Sequence, residues 1–121
     1  VACNFRLKEG RYREVITLRE VCKNLGVSRR AVQGYEQAGL VTPTGRNARG
    51  YLLYNQIEQE KIRKIKFFQE MGFSIREIKE ISVAPKDVVK CAIERRIEAL
   101  WLEIERKEKI IERAQELLNS L

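Results

Sequence analysis

Over residues 87–121 the chain carries no Gly or Pro, and its apolar positions advance in alternating steps of three and four. Ile93, Ile97, Leu100, Ile104, Ile111, Ala114, Leu118 and Leu121 form one stripe, interrupted by Lys107. With Ile97, Ile104, Ile111 and Leu118 in the a positions of a heptad, Ile93, Leu100, Lys107, Ala114 and Leu121 take the d positions. Four heptads on a helix about 50 Å long suffice for a coiled coil. Lys107 is then the candidate for setting register, and Trp101 joins the expected interface. Packing of this helix back on its own chain is the competing reading, which a head of some 80 residues disfavours because it offers little surface for so long a stripe.

Upstream the periodic stretches are shorter. Ile62, Ile65 and Phe68 predict a helix over 56–71, and Ile75, Ile78 and Ile81 a second over 75–82. Cap signals place two more, at 18–25 and 29–38. Thr17-x-x-Glu20 and Ser74-x-x-Glu77 fit the capping box, and Asn55-x-x-Glu58 is a close variant. Ser28 is a fourth N-cap, following Gly26, while Gly39 and Gly72 suit helix ends. Pro85 breaks the chain and leaves Asp87 to cap the long helix. Between residues 40 and 54 the turn formers Pro43, Gly45 and Gly50 alternate with β-favouring residues, which predicts a short two-stranded ribbon.

Charge divides the 121 residues unevenly. Residues 1–82 hold 16 Lys/Arg against 9 Glu, the whole of the net +7, whereas residues 83–121 hold 8 of each sign. A basic head on a neutral arm is the electrostatic footprint of a polyanion-binding domain joined to a structural helix. There is no histidine, and no nucleophile is paired with a base, so no catalytic constellation is apparent and no enzymatic role is expected. Cys3, Cys22 and Cys91 are odd in number and far apart, which argues against a disulfide framework and for a reducing, cytoplasmic setting. No apolar run approaches a membrane span. Residues 1–15 lack a signal-peptide block and are expected to form a loosely held extension.

The helix pair at 18–25 and 29–38, joined by a Gly-containing turn, reads as a helix-turn-helix, with the second helix as the recognition helix. Arg29, Arg30 and Gln33 lie along one side of it, and Arg and Gln side chains can read guanine and adenine edges. Ala31, Val32 and Tyr35 can turn toward a core. In the ribbon, Arg46, Asn47 and Arg49 surround Gly45 and Gly50, a basic tip suited to gripping phosphates. On the helix over 56–71, Lys61, Arg63, Lys64 and Lys66 read as a solvated face with one or two phosphate contacts.

These residues together resemble the DNA-binding domain of the MerR family of bacterial transcription regulators. The resemblance is carried by Ile16-Thr17-Leu18, Gly26-Val27-Ser28-x-Arg30, Tyr35-Glu36-x-x-Gly39-Leu40, Pro43, Arg46, Arg49-Gly50-Tyr51-x-Leu53-Tyr54 and Met71-Gly72-Phe73-Ser74-Ile75-x-Glu77-Ile78, in that order. It implies a mainly α fold: a winged helix-turn-helix head over 16–82 with a small wing, then a long coiled-coil dimerisation helix over 86–121. The implied contact set is Thr17, Ser28, Arg29, Arg30, Gln33, Tyr35, Arg46, Asn47, Arg49 and Tyr51. The implied partners are double-stranded DNA, a second copy paired through antiparallel long helices, and RNA polymerase at a promoter, in a bacterial, nucleoid-associated setting. Family members typically distort promoter spacers. Two departures stand out: Gln33-Gly34 replaces the usual Arg-Tyr of the recognition helix, and Leu52 replaces an Arg in the wing exit.

No cofactor is expected. Cys91 lies where metal-sensing members carry a ligand, but a soft-metal site needs further thiolates, and none follows it in this sequence. Cys22 reads as a core cysteine. The alternatives to a sequence-specific regulator are an architectural, excisionase-like DNA-bending factor and a protein-binding dimer with reduced DNA affinity.

Overall fold

The computed structural model describes residues 15–121; the expected N-terminal extension, apart from Val15, lies outside them, as does Cys3. The elements in chain order are β1 (Ile16–Thr17), α1 (Leu18–Leu25), α2 (Arg29–Gln37), β2 (Gly45–Arg46), β3 (Leu52–Tyr54), α3 (Gln56–Met71), α4 (Ile75–Ser82) and α5 (Lys86–Ser120).

Local chemistry sets most of these boundaries. The Thr17 hydroxyl accepts the backbone N–H of Glu20 at 3.3 Å while the Glu20 carboxylate accepts that of Thr17 at 3.1 Å, a reciprocal cap that starts α1. Ser28 starts α2 by accepting the N–H of Ala31. Ser74 and Glu77 repeat the reciprocal arrangement ahead of α4. Gly26 and Gly72, at φ +66° and +108°, end α1 and α3 in the left-handed conformation that suits glycine. α2 stops one residue earlier than expected, with Ala38 as its C-cap, and the Leu40 N–H reaches back to the Tyr35 carbonyl at 3.0 Å.

Three further details differ from the expectations. The ribbon has three strands, ordered β1-β3-β2, because Ile16 and Thr17 pair antiparallel with Tyr54 and Leu53 before the chain turns into α1. The Glu58 carboxylate does not return to the Asn55 backbone; it accepts the Thr42 N–H at 2.8 Å and pairs with Lys61 at 3.0 Å. Asp87 is not the cap of α5, since Pro85 occupies that position and Asp87 lies in the first turn, where a carboxylate suits the positive end of the helix dipole.

The boundary between two compact units falls between residues 80 and 81. In the first, Val21 from α1, Val32 and Tyr35 from α2, Tyr54 from β3 and Ile62, Ile65 and Phe68 from α3 are buried together with Ile16, Val41, Met71, Phe73 and Ile78. Phe68 and Phe73 meet edge-on, with ring centroids 5.7 Å apart. Gln59, fully buried, donates its amide to the Tyr54 carbonyl at 2.9 Å. The second unit is dominated by α5, 35 residues long, none of whose side chains is buried.

Candidate nucleic-acid interface

The burial pattern of α2 divides the helix cleanly. Val32 and Tyr35 face the core, while Arg29, Arg30, Gln33 and Gln37 are exposed on the opposite side. Gln37 was not among the expected contact residues. Its spacing from Arg30 and Gln33, four and seven residues, was the available signal. Tyr35 leaves the expected contact set: it is 2% exposed, and its hydroxyl donates to Gln69 Oε1 of α3 at 2.7 Å.

A second tie holds α2 from the other side. Tyr54 Oη of β3 donates to Glu36 Oε1, so that α2 is bonded to both the sheet and α3. Burial pushes the Tyr54 hydroxyl well above its ordinary pKa, and the hydrogen bond to Glu36 and the charge on that carboxylate add to the shift. Burial alone raises that of Tyr35. Both phenols are therefore locked as neutral donors, and the outer face of α2 is presented from a helix pinned at adjacent residues.

The wing is organised by Asn47. Its Oδ1 accepts the backbone N–H groups of Arg49 and Tyr51 at 2.9 and 3.0 Å, and its own N–H donates to the Tyr51 carbonyl at 3.0 Å. The Gly50 N–H closes the turn on the Asn47 carbonyl, and Gly50 sits at φ +82°. Arg46 Nη1 donates to the Gly50 carbonyl at 2.6 Å, which lays that guanidinium along the tip. Tyr51 is 57% exposed. Asn47 is half-buried, and at least its carbonyl oxygen builds the tip rather than reaching outward.

Wing and helix-turn-helix together enclose an open groove of about 630 Å³, lined by Thr17, Leu18, Arg19, Arg29, Arg46, Asn47, Arg49, Gly50, Tyr51 and Leu52. Four guanidinium-bearing residues border it and no carboxylate does. Arg19, the second residue of α1, was missed by sequence reasoning, because only the three-dimensional approach of α1 to the wing brings it there. Thr17 and Ser28 stand at helix starts with their hydroxyls engaged in caps. Arg30 and Gln33 project from α2 outside the groove lining.

Elsewhere the expected sites separate by role. Lys66 Nζ donates to the Leu25 carbonyl at 3.3 Å, closing the end of α1 rather than standing on a solvated face. A Cβ added at Gly34 meets nothing within 4 Å, so the glycine of α2 is not demanded by packing. On α5, Ile97, Trp101, Ile104, Lys107, Ile111 and Leu118 are exposed, and Ile93 and Leu100 are half-buried. Cys91 is exposed and Cys22 half-buried; among the described residues no group of three or more His, Cys, Asp or Glu side chains is placed to hold a metal. No helix among the described residues is long and apolar enough to cross a membrane.

Residues 16–83 match the family described as MerR HTH family regulatory protein. The mercuric resistance operon regulatory protein of Bacillus cereus is 32% identical over 104 residues, covering 84% of this chain and 79% of that protein. The HTH-type transcriptional activator mta of Bacillus subtilis is 31% identical over 104 residues, covering 86% of this chain but only 40% of its own length. Among solved structures, HiNmlR, a MerR family regulator lacking the sensor domain, was determined bound to promoter DNA. It superposes with a TM-score of 0.64 at 17% identity, covering 82% of this chain and 86% of that one, a likeness of fold alone. With the winged helix-turn-helix and the family match agreeing over the same residues, the chain belongs to the MerR family of helix-turn-helix regulatory proteins.

Proposed function

We propose that this chain is a sequence-specific DNA-binding regulator of transcription that acts as a homodimer on a pseudo-palindromic promoter site. The observation that carries the reading is the outward face of α2, with Arg29, Arg30 and Gln33, standing beside a wing groove bordered by arginines and free of carboxylates. Arg30 and Gln33 are the base readers, through the paired donors and acceptors that a major groove presents. The wing residues Arg46, Arg49 and Tyr51 hold the sugar–phosphate backbone and set the register of α2 on the duplex.

Pairing follows from α5. Its stripe is exposed in the single chain at Ile97, Ile104, Ile111 and Leu118, with Trp101 at its flank, and only half-buried at Ile93 and Leu100, and a second copy laid antiparallel buries it. Two-fold symmetry then offers two recognition helices to two half-sites. The relatives named as transcriptional regulators, and the fold shared with a regulator solved on promoter DNA, support this reading over an architectural or purely protein-binding role. Distortion of the promoter, which aligns its elements for RNA polymerase, adds indirect readout to the base contacts. The setting is the cytoplasm, with no cofactor required for binding.

The test is selection of bound sequences from a random duplex library at about 100 mM salt, where phosphate contacts are weakened but not lost. A two-fold symmetric motif is expected. Recovery of DNA without a motif overturns sequence specificity and favours the bending factor; no recovery at low salt overturns DNA binding itself. Arg30→Ala is expected to cost about 1–3 kcal/mol of discrimination at one base pair per half-site, read by competition between selected and scrambled duplexes.

A further inference from the structure

We infer that Arg19 of α1 and Arg29 of α2 form, with Arg46 and Arg49 of the wing, one four-arginine clamp for the phosphates of a single DNA strand. Arg29 thus belongs to the backbone-gripping set and not to the base-reading set. The inference rests on the DNA-binding reading and deepens it.

The geometry separates the arginines of the head into two groups. Arg19 and Arg29 line the wing groove from the helix-turn-helix side, and Arg46 and Arg49 line it from the ribbon. Arg30 lies one residue beyond Arg29, about 100° further around α2, and is not part of that lining. Four cationic side chains facing one hollow without a carboxylate repel each other unless a polyanion enters. A phosphodiester strand is the anion whose charges recur at a spacing that several guanidinium groups can meet together. The groove is too open and too one-sided in charge for a small carboxylate ligand, which would leave most of the donors unmatched. Fixation supports the same division. Arg46 is held against the Gly50 carbonyl at 2.6 Å, and the Arg49 backbone is held by Asn47, so the ribbon side is already in place. Arg19 lies between Thr17 and Glu20, inside their reciprocal cap, so its backbone is equally fixed. Leu52, half-buried, is the leucine of the same lining that stands on the ribbon side, opposite Leu18 of α1.

The clamp makes a prediction that base reading does not. Removing a phosphate contact lowers the slope of log K against log[salt] by about 0.9, so the affinity lost between about 50 and 200 mM salt shrinks three- to four-fold, while the ratio of selected to scrambled DNA stays constant. The experiment measures binding of the full chain to its selected duplex and to a scrambled duplex by fluorescence anisotropy across that salt range. The variants are Arg19→Ala, Arg19→Gln, Arg29→Ala and Arg29→Lys, each checked for an unchanged helical melt. Arg19→Ala, Arg19→Gln and Arg29→Ala are each expected to lower the slope by about one with discrimination intact, and Arg29→Lys to keep the slope, because a lysine still serves a phosphate. Adding Leu52→Arg to Arg19→Ala is expected to restore the slope from the opposite wall. An unchanged slope in both Arg19 variants overturns the clamp, and a loss of discrimination in Arg29→Lys returns Arg29 to the base readers. Failure of the unaltered chain to bind either duplex instead overturns the DNA-binding reading, and that outcome is visible before any variant is made.

Discussion

Replacing Tyr54 by Phe tests what holds the recognition helix in place. The ring of Tyr54 is fully buried in β3, and Phe fills the same volume, so no cavity contributes to the change. What disappears is one hydrogen bond from a buried hydroxyl to the Glu36 carboxylate. A bond to a charged acceptor contributes about 1.5–3 kcal/mol. Glu36 is only half-buried and water can reach it once the hydroxyl is gone, which places the cost near the lower end, about 1.5–2 kcal/mol. For a head of this size that corresponds to roughly 6–15 °C in melting temperature. Urea titration followed by circular dichroism at 222 nm measures it, and Glu36→Gln, which keeps an acceptor, is expected to cost less. Because the bond ties α2 to the sheet that carries the wing, affinity for selected and scrambled DNA should fall together. A Tyr54→Phe midpoint within about 0.5 kcal/mol of the unaltered chain, the ordinary range of inconsequential surface changes, refutes the argument.

The other predictions are shorter. Gly34→Ala should stabilise the head by about 0.5–1 kcal/mol, since the position is helical and open and glycine weakens a helix interior; a lower urea midpoint contradicts this. Stability should fall as pH rises above about 10. The folded state keeps the phenolic protons of Tyr54 and Tyr35 that the unfolded chain releases from its ordinary value of 10.0, so their contribution is complete below that pH and is lost as pH climbs through the raised native values. Urea midpoints at about pH 8 and about pH 11 read the decline, which should be shallower in Tyr54→Phe; equal declines exclude Tyr54 as a source. Ile104→Glu with Ile111→Glu, placing charge in the exposed stripe of α5, should leave a monomer in sedimentation equilibrium where the unaltered chain forms the proposed dimer, and a persistent dimer removes that stripe from the interface.

The helices were legible because their ends are written in local chemistry. Thr17, Ser28, Asn55 and Ser74 each bond a backbone N–H within three residues, and such short-range demands show directly in sequence. β1 was not legible. Two residues carry no periodicity, and what makes Ile16–Thr17 a strand is a partner some 37 residues further on. Glu58 was misread for the same reason: its spacing from Asn55 is that of a capping box, but the Thr42 N–H, distant in sequence, captures its carboxylate. Tyr35 shows the limit of carrying a motif across residue by residue. A tyrosine inside a recognition motif suggests contact with DNA, whereas its place on the Val32 side of α2 makes it a core residue with a satisfied hydroxyl. Arg19 was invisible because one arginine in a helix has no signature until the wing folds against it.

The hydrogen-bonded turn around Asn47 also bears on how such a wing can change over generations. Position 47 supplies an acceptor to two backbone amides at once, and position 50 has a left-handed backbone, so both are held by the turn itself. Between them Ala48 is exposed, and its methyl side chain makes no hydrogen bond to the turn. The tip is thus a rigid bracket around an open slot: substitutions at 47 or 50 alter its geometry, while those at 48 add or remove reach without disturbing it. Chains of this design can diverge in what the tip touches through single changes at one residue, keeping the stability of the head almost constant as they do.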